Sequence, residues 1–136
     1  VIDKLQIVRI TPESLEKILE GDIEEENYTC IIKFYSQHCP LCVKLAPVYK
    51  QVVERNPEDN RYYFVFNVND VGPSLDDIIK INGVPSFAMI RSENGKRKPA
   101  VTVMEDPDDP DEETWYTVRD IEKFINKKNK ELKYVK

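Results

Sequence analysis

Residues Cys30–Ser36, CIIKFYS, form a β-branched and aromatic run that gives way to apolar positions at helical spacing, and two cysteines, Cys39 and Cys42, stand at the changeover. Such a run reads as a buried strand. Leu41, Leu45, Val48, Tyr49, Val52 and Val53 would then cover one face of a helix from Cys39 to about Glu54, with a kink expected at Pro47. A strand that turns this quickly into a helix is one step of an alternating α/β chain, and it places the cysteine pair at the carboxyl end of the strand.

The rest of the chain repeats the alternation. LQIVRI, Leu5–Ile10, has strand composition, and a helix follows with Thr11 as cap, Pro12 at its first position and Gly21 past its end. RYYFVFNVN, Arg61–Asn69, predicts a third strand, and PSLDDIIKIN, Pro73–Asn82, a helix closed by Gly83. FAMIR and AVTVM, joined through a turn at SENG, predict a hairpin. A last helix starts near Val118, with Thr117 as cap and Asp120 placed as in a capping box. The order β-α-β-α-β-α-β-β-α predicts a mixed central sheet with helices on both faces, in one domain spanning residues 1–136. EDPDDPDEE, Glu105–Glu113, reads as an extended, solvated loop, and the lysine-rich end from about 127 to 136 is expected to fray.

Composition removes several classes. With 136 residues, 40% hydrophobic, the chain can bury a core without disulfide staples. A net charge of -5 gives no overall pull towards nucleic acid or anionic membrane. The longest apolar stretches fall short of the roughly 18 residues of a spanning helix, and Val1–Ile10 carries charges where a signal sequence has its apolar centre. The reading is of a soluble chain, although a cleaved leader would leave no trace in a sequence that starts with valine. Three cysteines, Cys30, Cys39 and Cys42, are too few for a disulfide-rich secreted framework, which leaves redox or metal chemistry.

A C-x-x-C pair at a helix start has a physical reason to react. The free amides of the first turn point at the first sulfur and the helix dipole favours its thiolate, while the second sulfur lies one turn on, within reach of a mixed disulfide. In that reading Cys39 attacks and Cys42 resolves. Zinc sites use the same spacing, with Cys30 and His38 as the remaining candidate ligands, and two inert buried thiols are a third reading. GVPSF, Gly83–Phe87, is the second marker. Its proline is either a plain strand starter or a cis Val84–Pro85 bond that leaves the backbone of Val84 to pair with an extended substrate.

KFYSQHCPLCVKLAPVY and INGVPSF, in this order and spacing, resemble the thioredoxin superfamily over about Leu5 to Asn126. The resemblance implies the thioredoxin fold and thiol–disulfide exchange on protein substrates, with Cys39 as nucleophile, Cys42 as resolver and Val84 and Pro85 shaping the substrate groove. It implies no metal and no organic cofactor, the redox-active Cys39–Cys42 disulfide being the only redox group.

This chain departs from the family pattern at four places. His38 replaces the tryptophan before the first cysteine; when protonated it would favour an adjacent thiolate, and the plain alternative is an exposed, unlinked side chain. Lys33 stands where the family has a buried acid, a reversal of charge, and the lysine of the next strand is matched by Val65. As a cation under the cysteines Lys33 would favour thiolate; as a neutral amine it would act as a base; the plain alternative is that it snorkels to the surface. Pro40 and Leu41 replace glycine and proline between the cysteines and alter the redox poise. The acidic loop 105–113 replaces a short connection, either as a solvated insertion or as a surface for a basic partner. Cys30 reads as a small hydrophobe of the core.

The expectation is a monomeric reductase of protein disulfides, re-reduced by a thiol reductase or other redox donor, in the cytoplasm. The rivals are an oxidase or isomerase domain of an oxidising compartment such as the endoplasmic reticulum lumen, and a thioredoxin-like module that binds partners without catalysis.

Overall fold

The computed structural model describes residues 6–93 and 98–134, without the side chains of Pro73 and residues 127–134. Leu5, the Asn94–Gly95 part of the expected turn and the side chains of the lysine-rich end lie outside the described residues.

Five strands, β1 (Ile7–Arg9), β2 (Tyr28–Tyr35), β3 (Arg61–Asn67), β4 (Ser86–Ser92) and β5 (Ala100–Val103), form one sheet of order β1-β3-β2-β4-β5. β3 is parallel to both β1 and β2, whereas β4 runs antiparallel to β2 and β5 antiparallel to β4. The mixed sheet read from the sequence is the sheet observed. The helices are α1 (Pro12–Glu20), α2 (Pro40–Arg55), the single turn α3 (Leu75–Ile78) and α4 (Val118–Tyr134).

Side chains of β2 alternate between two cores. Cys30, Ile32 and Phe34 join Leu15 and Ile18 of α1 and Leu75 of α3, while Ile31 joins Leu45, Tyr49, Val52 and Val53 of α2 and Ile121 and Ile125 of α4. This is the period of two that a strand requires, and it leaves β2 buried on both faces. Tyr49 ties α2 to the sheet: its hydroxyl lies 2.9 Å from the carbonyl oxygen of Phe64 and 3.1 Å from that of Ile31, donating to one at a time, and its ring meets those of Tyr63 and Phe87 edge to face.

The caps read from the sequence are present. Thr11 Oγ1 accepts from the amide of Ser14, and Gly21 ends α1 in the left-handed region at φ 74°, where a side chain would strain. Thr117 and Asp120 satisfy each other's amides at 2.9 and 3.1 Å, a closed capping box. α2 runs through Pro47 as one helix, with that proline on its exposed side.

Two expectations need correction. The third strand stops at Asn67, because the Asn67 side chain accepts from the amide of Asn69 and starts a 3-10 turn, Val68–Asp70, the local competition that asparagine offers to a ladder. The helix expected over Pro73–Asn82 shrinks to α3, after which Ile79 is extended (φ -153°, ψ 140°). Leu75 and Ile79 are both buried, and from there the chain must still reach the start of β4; extended backbone covers about twice the distance per residue that a helix does.

Removing the Tyr49 hydroxyl strips a buried donor from the α2 contact while keeping the ring. Tyr49→Phe is expected to cost about 1–2 kcal/mol, read as a lower urea midpoint at an unchanged slope; no loss would show that the hydroxyl contributes nothing net.

Candidate active site

At the carboxyl end of β2 the chain turns through Ser36–His38 and enters α2 with Cys39 as its cap residue. Cys39 has extended backbone (φ -120°, ψ 97°), and Pro40 opens the helix, where its fixed φ fits and its missing amide costs nothing. The Cys42 amide donates to Cys39 Sγ at 3.1 Å, and the Val43 amide to the Cys39 carbonyl at 3.1 Å. Cys39 and Cys42 are joined by a disulfide. Cys39 is 8% and Cys42 3% exposed, so the first cysteine is the more accessible residue. Among the described residues no cluster of three or more His, Cys, Asp or Glu could hold a metal ion.

The loop before the cysteines is held from the 3-10 turn that follows β3. The Gln37 amide donates to Asn69 Oδ1 at 3.1 Å, and Asn69 is itself oriented by the Asn67 side chain. The sequence reading missed these two residues by placing Asn69 in a strand; the NVND stretch, rich in residues that bond to nearby backbone, was the available signal.

The second marker meets the first. Ser86 pairs with Phe34 across β2 and β4, which brings Pro85 to the end of the sheet where β2 delivers the cysteines. The Val84–Pro85 peptide is cis, and Ser86 Oγ donates to the Gly83 carbonyl, closing the turn. Val84 precedes β4 and has no ladder partner among the described residues. Gly83, at φ 142°, occupies backbone space that a side chain would strain.

Of the remaining candidates, His38 and Pro40 are exposed and Leu41 is half-buried beside the disulfide. His38 makes no hydrogen bond or ion pair among the described residues. Cys30 is a free thiol at 2% exposure, with burial as the main cause that raises its pKa to about 12, and it packs with the α1 core, away from the disulfide. The acidic loop leaves the sheet near Pro85, since the Met104 amide donates to the Phe87 carbonyl at 2.8 Å. Glu105–Glu113 is largely exposed, as expected, but its end is not extended. Asp111 pairs with Trp115 by two backbone bonds, and its carboxylate accepts the amides of Glu113 and Thr114, the interactions that lower its pKa.

Lys33 does not snorkel. It is 5% exposed, on the α2 face of β2, with Nζ 5.8 Å from the centroid of the Tyr49 ring and 5.9 Å from that of Tyr35. Its ladder neighbours are Val65 and Phe87, and among the described residues no carboxylate pairs with it. Burial lowers its pKa to about 8.

A dithiol–disulfide pair at a helix start, its leading sulfur facing a first-turn amide and a cis-proline segment at the same end of the sheet, defines the class of thiol–disulfide exchange proteins. The sequence matches the family described as Thioredoxin over residues 7–108, and the chain belongs to that family. Solved structures agree on the fold. The Trx4 domain of ERdj5 superposes with a TM-score of 0.67 at 13% identity, covering 93% of this chain and 97% of that one. Chloroplastic thioredoxin z gives 0.60 at 21% identity, covering 93% and 96%. A chain of the complex between ferredoxin:thioredoxin reductase and thioredoxin f2 gives 0.55 at 17% identity, covering 73% and 82%. A search of curated proteins finds no matching relative.

The lone amine has a thermodynamic consequence. Folding lowers the Lys33 pKa from 10.5 to about 8, so the unfolded chain binds more protons between these values. The penalty for burying the ammonium is fully present below about pH 8 and fades as pH rises towards 10.5. Lys33→Met should therefore be more stable than the wild type at pH 6–7, by on the order of a few kcal/mol, with the difference shrinking through that window. Urea titrations at several pH values check this, and a pH-independent difference would contradict it.

Proposed function

We propose that the protein is a thiol–disulfide oxidoreductase that reduces disulfides in protein substrates, with Cys39 as nucleophile and Cys42 as resolving thiol. One observation carries the reading: the Cys39–Cys42 disulfide caps α2, with the Cys42 amide on Cys39 Sγ, at the end of the sheet that also holds the Val84–Pro85 segment. In the reduced protein that amide and the first turn of α2 favour the Cys39 thiolate, which attacks a substrate sulfur and forms a mixed disulfide. Cys42 then attacks Cys39 Sγ, the substrate leaves as a thiol, and the two enzyme thiols end as the disulfide. The backbone of Val84, outside the ladder, would pair with the extended substrate on either side of its cysteine. His38, Pro40 and Leu41 border the disulfide and would tune its poise without taking part in exchange.

The reductive direction is supported by the cysteine inventory: one exchange pair, with Cys30 as a free buried thiol, suits a reducing compartment such as the cytoplasm. A thiol reductase would return Cys39–Cys42 to the dithiol, a kind of partner also present in the thioredoxin f2 complex. No metal or organic cofactor enters the scheme. Pro40 beside the nucleophile supports the rival direction, that of an oxidase or isomerase.

Equilibration of the pair in graded thiol–disulfide buffers, read by mass after alkylation, tests both points. A reversible couple near about -270 mV is expected for the reductase, whereas one at about -180 to -120 mV would reverse the direction. Cys39→Ser should lower the reduction of insulin disulfides by dithiothreitol to the uncatalysed rate. Failure of the wild type to form a reversible Cys39–Cys42 disulfide at any poise would remove the enzyme reading.

A further inference from the structure

We propose that the apolar cavity between α1 and the β1–β3 edge of the sheet is a binding site for a free medium-chain carboxylic acid, its hydrocarbon tail against the sheet and its carboxylate at Lys17. The cavity lies on the face of the sheet opposite α2, and the proposal does not depend on the oxidoreductase reading above.

The two faces of the sheet are covered unequally. α2 and α4, of 16 and 17 residues, share one face, whereas the other carries α1, nine residues long, and the single turn α3. Five strands about 4.8 Å apart set the outer strands about 19 Å from each other, and one helix is about 10–12 Å wide. α1 places Leu15 and Ile18 in the core with Cys30, Ile32 and Phe34 of β2, and the outer pair of strands is left partly open. Val8 of β1 stays exposed, and its ladder partner Phe64 and the neighbouring Tyr62 are only half-buried. Above them lies a cavity of about 430 Å³, within the range of small-molecule sites.

Its lining is apolar. Tyr62 and Phe64, with ring planes 9° apart, and the Cys30 thiol line it from the sheet, Ile18 from α1, and Ile23 from the segment after α1. Val8 and Ile23 are two of the four large apolar side chains that stay exposed among the described residues, and both border this cavity. The hydroxyls inside it are already committed: Tyr28 donates to the Ile18 carbonyl at 2.8 Å and Tyr62 to the Glu25 carboxylate at 2.7 Å. The buried side-chain polar atoms without a partner among the described residues, Arg61 Nε and the Tyr116 hydroxyl, belong to residues outside the lining. Such a cavity suits hydrocarbon, since a polar occupant would lose its bonds to water and gain none.

Charge at the rim selects the head group. The ionised side chains that border the cavity are Lys17 and Glu25, and Glu25 is engaged by the Tyr62 hydroxyl. Lys17 is exposed on α1, and its ammonium has no hydrogen bond or ion pair among the described residues. An unpaired cation beside an apolar cavity complements a molecule that is hydrocarbon along its length and anionic at one end. Its carboxylate gains a charge-assisted hydrogen bond while the tail leaves water. An alkylammonium would instead meet Lys17 as a like charge.

The test titrates the intact, ¹⁵N-labelled chain with decanoate and follows the amide shifts. Saturable shifts at Val8, Cys30 and Phe64 are expected, with a dissociation constant below about 1 mM and the amides of Cys39 and Cys42 unmoved. Hexanoate, four methylenes shorter, should bind about tenfold more weakly or worse, and decylammonium about fivefold more weakly than decanoate. Lys17→Glu should reverse the order of decanoate and decylammonium. Val8→Trp fills the mouth of the cavity and Ile23→Glu charges its wall; a loss of decanoate affinity of about tenfold in either, with a dispersed spectrum, supports the site, and unchanged affinity in both would overturn it. Absence of saturable shifts at these amides, equal affinity for hexanoate, a preference for decylammonium, or an unchanged order in Lys17→Glu would each overturn the proposal. Rival occupants give their own signs. Shifts at the same amides that follow protein concentration without ligand would assign the groove to a second copy of the chain, and decanoate binding only after removal of residues 1–5 would assign it to that segment; either result would overturn the proposal.

Discussion

The structure depends on the double burial of β2. This strand is hydrogen-bonded along both edges, to β3 and β4, and covered on both faces, so its buried apolar side chains divide between two cores, Tyr28, Cys30, Ile32 and Phe34 in one and Ile31 in the other. Its register is thereby set strongly, since a slip of one residue would exchange Ile31 and Lys33 with Ile32 and Phe34 between the cores. Because the register is set, so are the positions of everything the strand delivers at its carboxyl end. The turn at Ser36–His38, the cap at Cys39 and the first turn of α2 all hang from a strand that cannot shift.

From that anchor the second half of the site follows by pairing alone. β4 runs antiparallel to β2, so its beginning lies beside the end of β2, and Ser86 opposite Phe34 brings the Val84–Pro85 segment to the cysteines. The segment and the disulfide are far apart in sequence and are brought together by one ladder. The same logic carries the acidic run. β5 returns along β4, and the Met104 amide on Phe87 releases Glu105 near the beginning of β4. One end of the sheet thus collects the disulfide, the cis-proline segment and the start of the densest negative charge in the chain, while Cys30 is kept in the other core.

How much of this could be read beforehand varied with the kind of force involved. Strands and helices with strong periodicity were legible, as were the caps at Thr11, Gly21 and Thr117, since each depends on residues close in sequence. The cysteine pair was legible for the same reason, because a helix start and a C-x-x-C spacing are local features. The helix expected over Pro73–Asn82 failed because its periodic residues, Leu75, Ile78 and Ile79, satisfy the core in one turn and the chain is then drawn out to reach β4, a demand set by the whole fold. Asn69 was misread because two asparagines that continued an apolar strand turned out to start a turn and hold Gln37. For Lys33 the sequence could name the three states open to it, but only the packing of Tyr35, Tyr49, Val65 and Phe87 around the amine chose burial.

A lone buried amine is a local inconsistency in an otherwise conventional core, and such inconsistencies concentrate where function requires them. An apolar residue at position 33 would pack between Val65 and Phe87 without the desolvation penalty, so the lysine weakens the fold in its cationic form. The aromatic faces of Tyr35 and Tyr49 offset part of that penalty by stabilising the ammonium.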